Sequence, residues 1–142
     1  MSFVPVRHVK RFSKYGAKKV WVCADCERHT NYVKPEKGEI CEDCGTGNWL
    51  RFDSKREHKY WADFRQLEKK GEIRDLKLHP VFPLTINGKT IGKYTADFRF
   101  IEGNRTRVID VKSKPTAKGE AFRLRKAVVE AVYPWVDIEV ML

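Results

Sequence analysis

Asp97, Asp110 and Lys112 are the residues whose types and spacing could do chemistry. They stand in the stretch Lys93 to Lys112, KYTADFRFIEGNRTRVIDVK. Two strand-like runs joined by Gly103-Asn104 read as a β-hairpin. With those two residues as the loop, the register sets Asp97 directly opposite Asp110. Opposed side chains have Cβ atoms about 4.5 to 5.5 Å apart, and like charges there destabilise the pair unless something neutralises them. A divalent cation would do so. Side chains alternate along a strand, so Asp110 and Lys112 share a face while Ile109 and Val111 point to the other. Hard cations such as Mg²⁺ take carboxylate and carbonyl oxygens. A nearby lysine can orient an attacking water, or deprotonate it as the neutral amine, and as the ammonium stabilise charge on a phosphate. The chemistry so indicated is phosphodiester hydrolysis. The plain alternative is a solvated hairpin face, because D-x-K on its own is common by accident.

Cys23, Cys26, Cys41 and Cys44 form a second constellation with spacing C-x2-C-x14-C-x2-C. Two such knuckles predict a closed tetrahedral zinc site with no ligand position left open, which is structural zinc rather than catalytic. Two disulfides would suit a secreted mini-domain, but the N-terminus lacks the apolar core of a signal peptide. The ribbon could touch nucleic acid through Arg28, His29, Lys34 and Lys37, or simply stabilise a loop too short to fold alone.

The elements that must position these groups follow from periodicity. Val20 to Val22 reads as a short strand leading into the first knuckle. Asp53 to Lys70 reads as a helix capped by Asp53 or Ser54 and ended by Gly71, with Tyr60, Trp61, Phe64 and Leu67 as its apolar stripe. Glu57 lies on that same stripe. Ser54-x-x-Glu57 is a capping box, and a carboxylate aimed at the metal patch is the other reading. Ile73 to Leu78 and Val81 to Ile86 read as strands broken at His79-Pro80. Asn87-Gly88 is a hairpin signal leading into a strand from Thr90 to Phe100. Ala117 to Val132 reads as a helix with Ala121, Leu124, Val128 and Val132 on its apolar face, ended by Pro134. Trp135 to Leu142 alternates as a half-buried final strand, with Val136, Ile138, Val140 and Leu142 against Asp137, Glu139 and Met141.

The 142 residues carry a formal net charge of +10 and a hydrophobic fraction of 42%, enough for one domain with a real core. Such a charge favours a polyanion as partner, nucleic acid rather than membrane. No apolar run approaches a membrane span, so a soluble, cytoplasmic protein is expected. Arg7, Lys10, Arg11, Lys14, Lys18 and Lys19 make residues 1–19 a basic arm, for phosphate contact or as a solvated tail. Residues 20–51 are read as the zinc ribbon, and 52–142, with parts of 14–19, as the main domain.

The order of helix, three-strand meander, helix and strand, with Asp97 and Asp110-Val-Lys112 on the central hairpin, resembles the PD-(D/E)xK nuclease superfamily. The segments KYGAKK, FDSKREHKYW, GEIRDLKLHPVFPL, YTADFRF and VIDVKSKPT narrow it. They look like a phage and prophage family labelled only as a domain of unknown function, placed among these nucleases near Holliday-junction resolvases. The resemblance covers most of residues 14–142. It implies an α/β (α+β) fold, a restriction-endonuclease-like αβββαβ core with a mixed sheet flanked by helices, into which a small zinc ribbon built on the four cysteines is inserted.

By that resemblance Asp97 and Asp110 would bind Mg²⁺ or Mn²⁺, with the Val111 backbone carbonyl as a further ligand. Lys112 would serve the water or the scissile phosphate, and Glu57 would be the acidic residue of the first helix. Ala96 stands where the usual motif has Pro, and His79 where relatives tend to have a polar residue such as Gln. Lys114, and Lys118, Arg123, Arg125 and Lys126 on the second helix, together with the arm, would hold the DNA backbone. The implied activity is a Mg²⁺-dependent endonuclease acting on branched DNA, as a homodimer with two active sites. The rival expectations are a non-catalytic nucleic-acid-binding module and a sequence-specific nuclease of restriction type.

Overall fold

The structure is a computed structural model that describes residues 18–142. Its chain divides into two compact units, one ending at His58 and the other running from Lys59 to Leu142. Arg7, Lys10, Arg11 and Lys14 lie outside the described residues. Among the described residues no helix is long and apolar enough to cross a membrane.

In the first unit, β1 (Val20–Cys23), β2 (Thr30–Asn31) and β3 (Trp49–Phe52) form an antiparallel sheet in the order β2-β1-β3. Val20, Val22, Cys23 and Phe52 are its fully buried side chains. The unit also holds the start of α1 (Lys55–Lys69). Ser54 Oγ accepts the Glu57 N–H at 3.1 Å, and Glu57 Oε2 accepts the Asp53 N–H at 3.1 Å. The expected reciprocal cap therefore forms, with the Glu57 side chain reaching one residue beyond the cap residue.

The rest of α1 belongs to the second unit. It ends where Gly71 takes φ +77, with Glu72 N–H bonded to Leu67 O and Gly71 N–H to Glu68 O. Those two bonds satisfy carbonyls that the last turn leaves open, as in a Schellman cap. Trp61 and Phe64 form its buried stripe. Phe64 meets Phe98 and Phe100 with ring centroids 5.3 and 4.9 Å away.

The main sheet is mixed, in the order β4-β7-β8-β9, from β4 (Arg74–Leu78), β7 (Phe98–Glu102), β8 (Arg105–Val111) and β9 (Ile138–Met141). Only β8 and β9 are parallel. A parallel neighbour needs a long crossover, and α2 (Lys114–Lys118) and α3 (Glu120–Val132) occupy it. The strands β5 (Val81–Ile86) and β6 (Lys89–Thr95) form a separate two-stranded sheet. Asn87 and Gly88 turn it with φ +51 and +75, the two left-handed positions that a type I′ hairpin needs. One core cluster joins Phe82, Leu84, Tyr94, Ala96, Val108, Val129, Val136 and Ile138, from the hairpin, the sheet and α3.

Three sequence expectations are corrected. The single strand from Thr90 to Phe100 is two strands in two sheets, parted at Ala96-Asp97. The His79-Pro80 break lies opposite: Ala96 N–H bonds Pro80 O at 3.1 Å and His79 N–H bonds Asp97 O at 2.9 Å. Both runs leave one sheet for the other at the same level, so the backbone stays satisfied across the switch.

The helix over Ala117 to Val132 starts earlier and is interrupted. Ser113 caps α2, and Gly119, extended at φ −64 and ψ 140, separates α2 from α3. A Cβ there would sit 3.2 Å from Thr116 O, tight against the carbonyl that accepts the Gly119 N–H.

That restart also rotates the apolar face. Val129 is fully buried, with Phe122, Val128, Val132 and Tyr133 packed against the same core, whereas Ala121 and Leu124 are exposed. The final strand is shorter than expected: Val136 and Ile138 are buried, while Trp135 and Leu142 are exposed.

Candidate functional site

The β7–β8 register pairs Phe98 with Ile109 and Glu102 with Arg105 around the Gly103-Asn104 loop. The ladder ends there: Asp97, the next residue, sits at a bend and donates its N–H to Ile109 O, so the direct Asp97–Asp110 pairing that the turn predicts is not among the ladder's pairs. Asp97 lies just outside β7 and is held at three points. Its N–H donates to Ile109 O at 3.0 Å, its carbonyl accepts from His79, and its Oδ2 accepts the Val111 N–H at 2.6 Å. Val111 thus meets the site through its amide.

Asp110 is 1% exposed. Burying a carboxylate is costly unless it is paired and hydrogen-bonded. Lys112 Nζ stands 2.6 Å from Asp110 Oδ1, and the Tyr94 hydroxyl donates to Asp110 Oδ2. The ammonium meets the charge of Oδ1 without hydrogen-bond geometry. Oδ1 is the only buried side-chain oxygen among the described residues that accepts no hydrogen bond. A buried carboxylate oxygen in that condition, next to a residue whose amide binds the Asp97 carboxylate, could take a small hard cation.

Tyr94 was not singled out by its sequence. It comes from β6, outside the sheet that carries Asp110, and its ring lies in the core cluster. Burial, followed by the charge of Asp110, holds its phenol well above the usual range, so it stays a donor. A buried Tyr hydroxyl must find a partner, and that requirement was the one signal available. The Arg125 guanidinium lies 5.8 Å from the centre of the same ring, and Lys112 Nζ lies 5.4 Å from that of Phe122.

Of the other residues expected to act, Glu57 belongs to the first unit, where its carboxylate engages the start of α1. His79 takes φ +49, an uncommon conformation for a non-glycine residue, and contributes its backbone N–H to Asp97. Lys18, Lys19, Lys114, Lys118, Arg123 and Arg125 are exposed. Lys126 is half-buried and paired with Glu130 at 2.5 Å.

The four cysteine sulfurs lie within 4.8 Å of one another. Cys23 and Cys44 are 3.5 Å apart, Cys26 and Cys41 3.6 Å. A disulfide would be about 2.05 Å, whereas a tetrahedron with metal–sulfur bonds of about 2.3 Å has edges of about 3.8 Å. Both knuckles close alike: Glu27 N–H bonds Cys23 O and Gly45 N–H bonds Cys41 O, with Glu27 and Gly45 at φ +59 and +76.

Backbone N–H groups also point at the sulfurs. That of Cys26, the strongest influence, brings the Cys23 thiol down to about 6, and those of Arg28 and His29 lower Cys26. Burial pushes Cys41 up to about 12 against the N–H groups of Cys44 and Asp43. The cluster is built to hold a structural metal. His29 and Asp43 make a second donor set with Cys41, and since Cys41 belongs to both sets, the second competes with the first.

Comparison with known proteins gives one match: the family described as "Protein of unknown function (DUF1064)" matches residues 46–141. The matched span begins after Cys44, so it contains Tyr94, Asp97, Asp110 and Lys112 but none of the four cysteines. No curated protein and no solved structure matches.

Proposed function

The chain belongs to the family described as a protein of unknown function (DUF1064), and from that premise we propose that it is a Mg²⁺-dependent endonuclease hydrolysing DNA phosphodiester bonds. The observation that carries this reading is Asp110. Its carboxylate is buried, its Oδ1 lacks a hydrogen bond, the Lys112 side chain stands beside that oxygen, and Asp97 Oδ2 binds the amide of the next residue, Val111. The sequence α1-β4-β7-β8-α3-β9, with a mixed sheet, supports a PD-(D/E)xK core with the β5–β6 hairpin added.

Asp97 and Asp110 would hold the ion, each already oriented by a donor: the Val111 N–H for Asp97 and the Tyr94 hydroxyl for Asp110. When bound, a divalent cation supplies polarisation of the phosphate and a lowered pKa for the attacking water. Lys112, whose Nζ stands 2.6 Å from Asp110 Oδ1, would stabilise charge that develops on the phosphoryl oxygens. Lys114, Lys118, Arg123 and Arg125, with the arm, hold the phosphate backbone. Such contacts give salt-sensitive binding with little sequence reading. Branched DNA, read by shape, is then the natural substrate, and cutting two strands calls for a homodimer. Zinc in the cysteine cluster stabilises the first unit.

The test is Mg²⁺-dependent cleavage of a four-way junction beside a linear duplex of the same arm sequence, by wild type and Asp110→Asn. Junction cutting that the substitution abolishes is the expected result. Equal cutting of both substrates would keep the nuclease and remove the junction preference. Binding without cutting, unchanged by Asp110→Asn, would overturn the enzyme in favour of a binding module.

A further inference from the structure

We propose that Tyr94 is a positioning residue of the metal site, fixing the Asp110 carboxylate so that Oδ1 is presented beside Asp97; this rests on the metal-dependent reading above. The chain switch at Ala96-Asp97 makes one short segment supply two parts of the site. Asp97 is itself a carboxylate, and Tyr94, three residues earlier and in the other sheet, grips that of Asp110. The Tyr94 ring is 2% exposed and packed in the core cluster with Phe82, Ala96 and Val108, so its hydroxyl is delivered from a rigid support.

Pinning Oδ2 has a consequence for Oδ1. Lys112 already stands 2.6 Å from Oδ1. A carboxylate freed from Tyr94 can turn both oxygens toward that ammonium, which would then compete with a divalent cation. With the hydroxyl in place, one oxygen is occupied by a neutral donor and the other keeps lone pairs for the cation. Partners that orient metal ligands are typically worth about 10 to 100-fold in affinity.

The probe is Mn²⁺ alone, titrated against the full chain with the free ion read by electron paramagnetic resonance, and with thermal unfolding as a folding control. Tyr94→Phe keeps the ring and is expected to weaken Mn²⁺ binding about tenfold. It should raise the Mg²⁺ needed for half-maximal cleavage in parallel while leaving KM for DNA unchanged. Restoring a donor with p-aminophenylalanine at position 94 should recover binding. Equal Mn²⁺ affinity in wild type and Tyr94→Phe would overturn the inference and leave the metal site standing. No binding by wild type, or binding untouched by Asp110→Asn, would overturn the metal site and the inference with it.

A second measurement needs no variant at position 94. One of the five tyrosine ¹³Cζ resonances of the wild type should shift on Mg²⁺ addition. Its failure to move would also count against Tyr94.

Discussion

Lys112 Nζ and Asp110 Oδ1 stand 2.6 Å apart, with the Asp110 side chain 2% exposed and that of Lys112 25% exposed. The ammonium is the internal counter-ion of a carboxylate that the fold has removed from water. Losing one partner of such a pair leaves the other uncompensated, which is worse than never having had the pair.

Lys112→Ala should therefore destabilise the protein by about 2 to 4 kcal/mol, measured by urea unfolding in metal-free buffer. An ion bound only to the folded state would restore part of that loss. Added Mg²⁺ should raise the unfolding midpoint of Lys112→Ala more than that of wild type. A Mg²⁺ response equal to that of wild type would mean that no cation shares the site.

Cys41→Ser should remove one metal equivalent per chain, read by elemental analysis of the purified protein. The first unit has few buried side chains besides Val20, Val22 and Phe52, so its order depends on the cluster. A strong chelator should abolish the amide protection of residues 20–52 in wild type, while protection in β7 and β8 persists. Full zinc content in Cys41→Ser would reject the four-thiolate site.

Arg107 bridges β8 to β9: its Nε lies 2.7 Å from Glu139 Oε2 and its Nη2 3.2 Å from Oε1. The geometry is bidentate but partly solvated. Arg107→Ala should cost about 1 kcal/mol in chemical unfolding and leave Mn²⁺ affinity unchanged. A tenfold loss of Mn²⁺ affinity would tie this end of the sheet to the site.

His58 carries a pH dependence of known sign. Burial lowers its pKa from the ordinary 6.5, and its ring lies 5.3 Å from that of Phe52. The folded state thus favours the neutral imidazole, and the unfolded state binds the extra proton. Stability is fully present above 6.5 and falls as pH drops from there toward the folded value. Between about pH 7.5 and about pH 5.5, wild type should lose more thermal stability than His58→Gln. Equal losses would show that His58 does not titrate differently on folding.

Features built from neighbouring residues were legible in the sequence. Gly103-Asn104 set the hairpin register from Glu102 opposite Arg105 to Phe98 opposite Ile109, because a two-residue loop leaves one pairing. Ser54 and Glu57 announced the start of α1 and Gly71 its end, since caps use bonds over a few residues. The C-x2-C knuckles foretold the sulfur cluster for the same reason.

What needed the tertiary structure were the allocations between distant segments. An apolar strand pattern continues through Ala96, so only the pairing of both chain runs around Pro80 shows that β6 and β7 belong to different sheets. The rotated face of α3 follows from its packing, through Val129, in one core cluster with Val108 and Ile138. Periodicity within the helix could not supply that. The hydroxyl of Tyr94 meets Asp110 across 16 residues and from another sheet. The sequence by itself determined the hairpin that carries Asp110 and begins just after Asp97, through local turn chemistry. Only long-range packing decided which donor holds one of them and which oxygen is left for a cation.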